Sequence, residues 1–396
     1  MKFRKLLSLL LVIFCTSSML WADTEPDNDT PAGADNLSLD VPENGTLNFA
    51  GDLVDYYAFT TTDDGQINLS MTGDVNYLTI QILDADGTTI LGTTTNYAPL
   101  SISVSNLAAG NYYASIVAYA AYSGNYALTA TVTPANFAND SEPNDTYTNA
   151  LTLAENGSAN GHIGYRNNGG SYDTDDWYSV TTTSDGTITA TFTNETGKYN
   201  TIYIYDNDGT TILGSQSAYS SGSISVYGKA AGTYYIRLHY YAPVHFNAYT
   251  ISNTVTPTAL ANDTEPNNVF AETNTTIPEN GSVTGHIGHR ANGGVFDTDD
   301  WYVINLSQDG QLVLNLHQDL GMYHGLYLYD NDGTTILTSD FNYTNVTITK
   351  NNLSAGTYYA KVDNYSTVYY SGYTLECAIT PTAYANDAEP NDIYTE

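Results

Sequence analysis

The chain is 396 residues long and sets 43 acidic against 10 basic residues, for a formal charge of −33. A surface this acidic excludes nucleic acid and anionic lipid as partners, because phosphate binding needs Lys and Arg. With two cysteines it is no disulfide scaffold.

Lys2, Arg4 and Lys5 precede a short apolar core from Leu6 to Phe14. This pattern predicts a signal peptide over residues 1–22, cut after Ala22, and hence a secreted or cell-surface protein. The apolar run is too short for a comfortable membrane span, and no later stretch is apolar enough for one. Beyond residue 22, 7 basic residues face 43 acidic ones, a net −36. Of the cysteines only Cys377 remains there, expected as a small buried hydrophobe.

Internal repetition organises the rest. Glu25, Glu142, Glu265 and Glu389 mark one point of a repeat, at spacings of 117, 123 and 124 residues. Asp84-Ala85-Asp86-Gly87 returns at Asp206 and Asp330, and Ala109-Gly110-Asn111-Tyr112-Tyr113 returns at Ala231 and Ala355. The expected divisions are repeat 1 over 23–136, repeat 2 over 137–259, repeat 3 over 260–383, and a truncated fourth beginning at 384–396. Each full repeat is long enough to own a core.

Within a repeat the apolar period is two. Ile67, Leu69 and Met71 alternate with Asn68, Ser70 and Thr72, and the same holds around Ile188, Ala190 and Phe192 and around Leu312, Leu314 and Leu316. Alternation buries one face of a strand. Turn signals every eight to twelve residues or so suit a sandwich. The predicted fold class is all-β, as tandem antiparallel β-sandwich domains.

Each repeat carries two acidic knots. The first is Glu25-Pro26-Asp27, Glu142-Pro143-Asn144 or Glu265-Pro266-Asn267. The second is Asp52-Leu53-Val54-Asp55-Tyr56-Tyr57, Asp173-Thr174-Asp175-Asp176-Trp177-Tyr178 or Asp297-Thr298-Asp299-Asp300-Trp301-Tyr302. A linker folding back on the second knot would gather carboxylates whose repulsion calls for a cation. Mixed carboxylate and amide oxygens on flexible loops suit Ca²⁺. No Cys joins the knots and no His recurs in all three repeats, which disfavours zinc there.

The Asp-Asn-Asp-Gly runs fail the spacing of a calcium-binding EF-hand loop and read as hairpin turns. His162-Ile163-Gly164-Tyr165-Arg166 and His286-Ile287-Gly288-His289-Arg290, absent from repeat 1, read as structural. No H-E-x-x-H or G-x-S-x-G motif is present, so the chain is expected to be non-catalytic. The 36 tyrosines exceed what three cores need, and Tyr240-Tyr241, Tyr365 and Tyr369-Tyr370 fall near strand ends, where rings suit an extracellular polysaccharide or protein polymer.

The order Glu-Pro-Asn, Gly-x-Ile, Asp-x-x-Asp-aromatic-Tyr, then Ala-Gly-Thr-Tyr-Tyr resembles the bacterial pre-peptidase C-terminal domain, a family that includes collagen-binding modules of secreted collagenases. The resemblance covers three tandem copies and the start of a fourth. It implies a jelly-roll-like sandwich and, by position, calcium ligands at Asp140, Glu142, Asn144, Asp173 and Asp176 in repeat 2 and at Asp263, Glu265, Asn267, Asp297 and Asp300 in repeat 3. In repeat 1 the matching residues are Asp23, Glu25, Asp27, Asp52 and Asp55. The expected function is a secreted array of calcium-stabilised modules for extracellular binding or spacing. Two alternatives are the accessory region of an exported peptidase and the repeat region of a cell-surface adhesin.

Overall fold

The computed structural model describes residues 27–48, 50–119, 122–242 and 244–382. The signal peptide, Asp23, Glu25 and the fourth-repeat start lie outside the described residues. Among these residues all regular structure is strand, apart from three short 3₁₀ turns at Pro31–Gly33, Tyr147–Asn149 and Phe270–Glu272. Among the described residues no helix is long and apolar enough to cross a membrane.

The first sandwich comprises β1 (Asp35–Asn36), β2 (Glu43–Leu47), β3 (Val54–Thr61), β4 (Gly65–Gly73), β5 (Tyr77–Leu83), β6 (Ile90–Tyr97), β7 (Leu100–Leu107), β8 (Gly110–Ala118) and β9 (Gly124–Pro134). Its two sheets run β1-β3-β8-β5-β6 and β2-β9-β4-β7. Only β1, which lies parallel to β3, departs from antiparallel pairing. A five-stranded and a four-stranded sheet in this order make a jelly-roll-like sandwich. The same nine-strand plan returns from β10 (Leu151–Thr152) to β18 (Asn247–Pro257) and from β19 (Thr275–Ile277) to β27 (Ser371–Pro381).

The period-two pattern dictates which faces are buried. On β4, Ile67, Leu69 and Met71 are buried and face Tyr57, Ile80 and Ile116 across one core. Ile188, Ala190 and Phe192 do the same in a second core, and Leu312, Leu314 and Leu316 in a third. Cys377 is buried in the third core, where burial pushes its thiol up to about 11.

The chain divides into two compact units. The first holds residues up to 138 together with 165–172, and here Arg166 pairs with buried Asp84 at 2.9 Å. The second holds 139–164 and the chain from 173 onward, and so contains two sandwiches. Within it, an arm over residues 289–297 belongs to the third repeat, with Arg290 bridged to Phe296. The arm lies along the second sandwich: Arg290 N donates to Gly228 O at 2.8 Å, Ala230 N donates to Arg290 O at 3.0 Å, and the Arg290 guanidinium reaches Asp206 at 2.7 Å. The expected division near residue 260 therefore falls inside one compact unit.

Candidate metal centre

The second repeat shows how the acidic knots meet. Strand β12 (Asp175–Thr182) alternates, so Asp176 is fully buried while Asp175 turns to the other face. There Asp175 Oδ1 accepts from Arg237 Nε at 2.5 Å and lies 2.6 Å from His239 Nδ1. The linker crosses this strand's start, with Trp177 N donating to Asn144 O at 3.0 Å. That bond brings one ligand atom each of Asp140, Glu142 and Asp176 within 4.8 Å of one another. Asp173 lies beside them at 4 % exposure, and Gly164 N holds its backbone carbonyl at 2.8 Å.

The knots are only half satisfied by the protein. Asp140 Oδ2 accepts from Tyr178 OH at 2.5 Å, Tyr249 OH at 3.0 Å and Asn144 Nδ2 at 2.8 Å. Its Oδ1 is buried with no hydrogen-bond partner, and so are Asn144 Oδ1, both carboxylate oxygens of Asp173, and Asp176 Oδ1. Buried oxygens without donors are costly and uncommon. Burial, with Glu142 and Asp140 adding repulsion, pushes Asp173 up to about 9. Burial and the Asp173 charge hold Asp176 well above the usual carboxylate range.

The third repeat repeats the arrangement. Asp263, Glu265 and Asp300 converge within 4.8 Å. Asp263 Oδ2 accepts from Tyr302 OH and from Asn267 Nδ2, the latter at 2.7 Å, and Tyr373 OH donates to Asp300 Oδ2 at 2.6 Å. One side-chain oxygen (Oδ1) of each of Asp263, Asn267, Asp297 and Asp300 is buried without a partner. Burial and Glu265 push Asp297 up to about 9, and burial with Asp263 pushes Glu265 up to about 7.

In the first repeat Asp55 is fully buried and takes a bond from Tyr126 OH. Here one position shifts. Tyr56 N donates to Asn28 O at 2.8 Å, the bond made elsewhere by Asn144 and Asn267, and Asn28 is fully buried while Asp27 is exposed. Asn28, not Asp27, occupies the amide position, because one extra residue separates it from Glu25. Asp52 is half-buried, and Asp23 and Glu25 lie outside the described residues.

The hairpin aspartates take no part. Asp208 accepts from Thr210 N, Thr211 N and Thr211 Oγ1 at 2.6 to 2.8 Å, which lowers its pKa, and Asp86 and Asp332 do the same.

The sequence profile of the secretion system C-terminal sorting domain family matches residues 63–123, from β4 to β8. Among solved structures, the chain is similar to the pre-peptidase C-terminal domain of a collagenase from Bacillus anthracis, at 17 % identity over 29 % of this chain and 100 % of that one, with a TM-score of 0.24. It is also similar to the CUB1-EGF-CUB2 domains of rat MASP-1, at 8 % identity over 56 % and 100 % with a TM-score of 0.18. For the same domains of human MASP-1/3 the identity is 8 % over 56 % and 99 %, with a TM-score of 0.19. No curated protein matches the chain in sequence.

Several site residues escaped sequence reasoning. The tyrosine pairs Tyr178–Tyr249 and Tyr57–Tyr126 join hydroxyls at 2.7 Å above the carboxylates, and Tyr302 pairs with Tyr373 in the same way. Gly161 and Gly285 leave room for them: a Cβ on Gly161 would stand 2.5 Å from Tyr249 Oη and 2.8 Å from Asp140 Cγ. The readable signal was the recurring offset of 71 residues between partners in the second and third repeats.

Proposed function

We propose that the chain is a secreted, non-catalytic array of calcium-stabilised β-sandwich modules that binds extracellular polymer. The observation that carries the calcium part is the set of buried, unpartnered oxygens on Asp140, Asn144, Asp173 and Asp176, matched on Asp263, Asn267, Asp297 and Asp300. All are hard oxygen donors, drawn from a linker and a strand start, and Ca²⁺ accepts six to eight such ligands in flexible geometry. The ion would remove the carboxylate repulsion and tie the linker to β12 and to β21 (Asp299–Leu306).

The binding part rests on a recurrent surface. Tyr77, Tyr199 and Tyr323 each sit half-buried between two outer rings. Tyr97 and Tyr119 lie 5.1 and 5.2 Å from Tyr77, Tyr219 and Tyr241 lie 4.6 and 5.1 Å from Tyr199, and Tyr343 and Tyr365 lie 4.4 and 5.2 Å from Tyr323. The outer rings are 48 to 68 % exposed. Clustered, exposed tyrosines lose little entropy on binding and present flat apolar faces with a hydroxyl rim. One such cluster per sandwich suits a ligand that itself repeats, such as a polysaccharide or an extended protein. The sorting-domain match at residues 63–123 favours delivery outside the cell or to its surface.

Calcium titration of the chain with a melting readout tests the reading. Added Ca²⁺ should raise the melting temperature and chelator should reverse it; anything bound only by the folded state stabilises it by about 2.7 kcal/mol at a hundredfold excess over Kd. A melting curve that calcium leaves unmoved would sink the calcium assignment.

A further inference from the structure

We propose that Asp185, His286 and His289 form a second kind of metal site, for a divalent transition cation of the zinc class, joining the two sandwiches of the second unit. One ligand atom from each residue lies within 4.8 Å of the other two. Asp185 belongs to the turn between β12 and β13 (Gly186–Asn194), while His286 lies on β20 (Ser282–Ile287) and His289 two residues beyond that strand. The three are therefore supplied by two different sandwiches.

His289 has one ring nitrogen occupied by the protein and one to offer, while Asp185 Oδ2 and His286 Nδ1 face each other and would trade that bond for an ion. Asp185 Oδ1 accepts from Ala231 N at 2.7 Å, a turn-holding bond that Asp64 and Asp309 make identically to Ala109 N and Ala355 N. That structural duty leaves Oδ2, which lies 3.0 Å from His286 Nδ1 and 3.3 Å from Asn262 Nδ2. His286 Nε2 is 3.2 Å from the Leu260 carbonyl, and His289 Nε2 is 2.8 Å from Thr258 Oγ1. His289 Nδ1 is buried with no hydrogen-bond partner. Metal-bound imidazoles characteristically donate their second ring N–H to a carbonyl or similar acceptor, which leaves the other nitrogen for the ion. His289 has that arrangement, with Nδ1 as the nitrogen to offer, and His286 would adopt it once an ion takes the place of the proton between its Nδ1 and Asp185 Oδ2.

Two imidazole nitrogens and one carboxylate oxygen are a zinc ligand set with a fourth position open to water. The set is too poor in oxygen to suit calcium. A cavity of about 310 Å³ lined by Asp185, Asn262, Glu265 and His289 gives an ion a path and a water a place. In the second repeat Tyr165 stands where the third has His289, so the cluster is no general requirement of the fold.

The test uses the full chain, stripped of metal and then saturated with Ca²⁺ so that the acidic sites are not in play. Co²⁺ followed by visible absorption, then Zn²⁺ displacing it in calorimetry, should give one site per chain. His289→Tyr and Asp185→Asn should each weaken it by well over ~10-fold, the loss that even an outer-sphere partner brings. A calcium-dependent melting shift retained in those variants shows that they fold, so unchanged zinc affinity in them overturns the proposal. In the wild-type chain, imidazole ¹⁵N shifts on zinc addition should mark two histidines ligated through Nδ1. Ligation at any other histidine pair, or none, overturns it independently of the variants.

Discussion

At the scale of single residues, the acidic centres depend on a few buried groups with no slack. Asp176→Ala or Asp300→Ala removes a fully buried carboxylate, and each should weaken calcium binding in its own repeat while leaving the other nearly intact, as read by calorimetric stoichiometry. Asp208→Ala, which removes only hairpin bonds, should leave calcium affinity unchanged. Tyr249→Phe takes a hydroxyl from Asp140 and from Tyr178. Losing one partner of a buried polar group should cost about 1–3 kcal/mol, measured by urea unfolding. The carboxylates were legible in the sequence because they recur in fixed order. The tyrosine pairs left only their repeated 71-residue offset as a signal, which a single tyrosine does not carry because it also fits any sheet face. Asn28 was misread as Asp27 because one added residue is invisible without the backbone bond to Tyr56 that fixes the register. The two histidines of the Asp185 cluster stood in a visible motif, but their joining to Asp185 was not legible, since it lies 101 residues from His286 and belongs to another sandwich.

Elements were easier to read than sites. Period-two alternation identified the strands at Ile67, Ile188 and Leu312, because a half-buried pleat admits no other pattern. What the pattern lacked was topology: nothing local says that β9 pairs with both β2 and β4. The arm at residues 289–297 reads in sequence only as a histidine motif of structural type. Its cation pairs with Asp206, which is 1 % exposed. Arg290→Ala takes the cation from that carboxylate and leaves it only its bonds from Asn207 N and Asn292 Nδ2, and the second unit should lose about 3 kcal/mol, seen as an earlier denaturant midpoint. The tyrosine clusters give a separate expectation. Replacing Tyr97, Tyr219 and Tyr343 by Ala together should abolish retention on the polymer that the intact chain binds, with the melting temperature little changed, since these rings are exposed. Retention that survives all three changes would remove the clusters from the binding surface.

For the whole molecule, charge and pH are coupled through the acidic centres. Without calcium, Asp173 and Asp297 sit at about 9 in the folded chain against roughly 4 unfolded. The folded state then holds protons that the unfolded state has released, so stability should be present below pH ~4 and fall as pH rises towards 9. Bound calcium replaces those protons and should flatten the slope. Melting temperatures measured from pH 5 to 9, with chelator and with calcium, should therefore diverge as pH rises; parallel curves would mean that the cation does not enter these centres.

The arm has a mechanical consequence. Arg290 is fastened along the second sandwich by two backbone hydrogen bonds and an ion pair while its own chain runs on into the third. A pull along the chain within the second unit loads these fastenings together, in shear, before it can peel any strand from either sheet. Under tension the two sandwiches should hold as one body and then yield in quick succession, the length of one releasing the other. In single-molecule stretching of the intact chain that would appear as a paired event, and Arg290→Ala should split it into two separated steps at lower force.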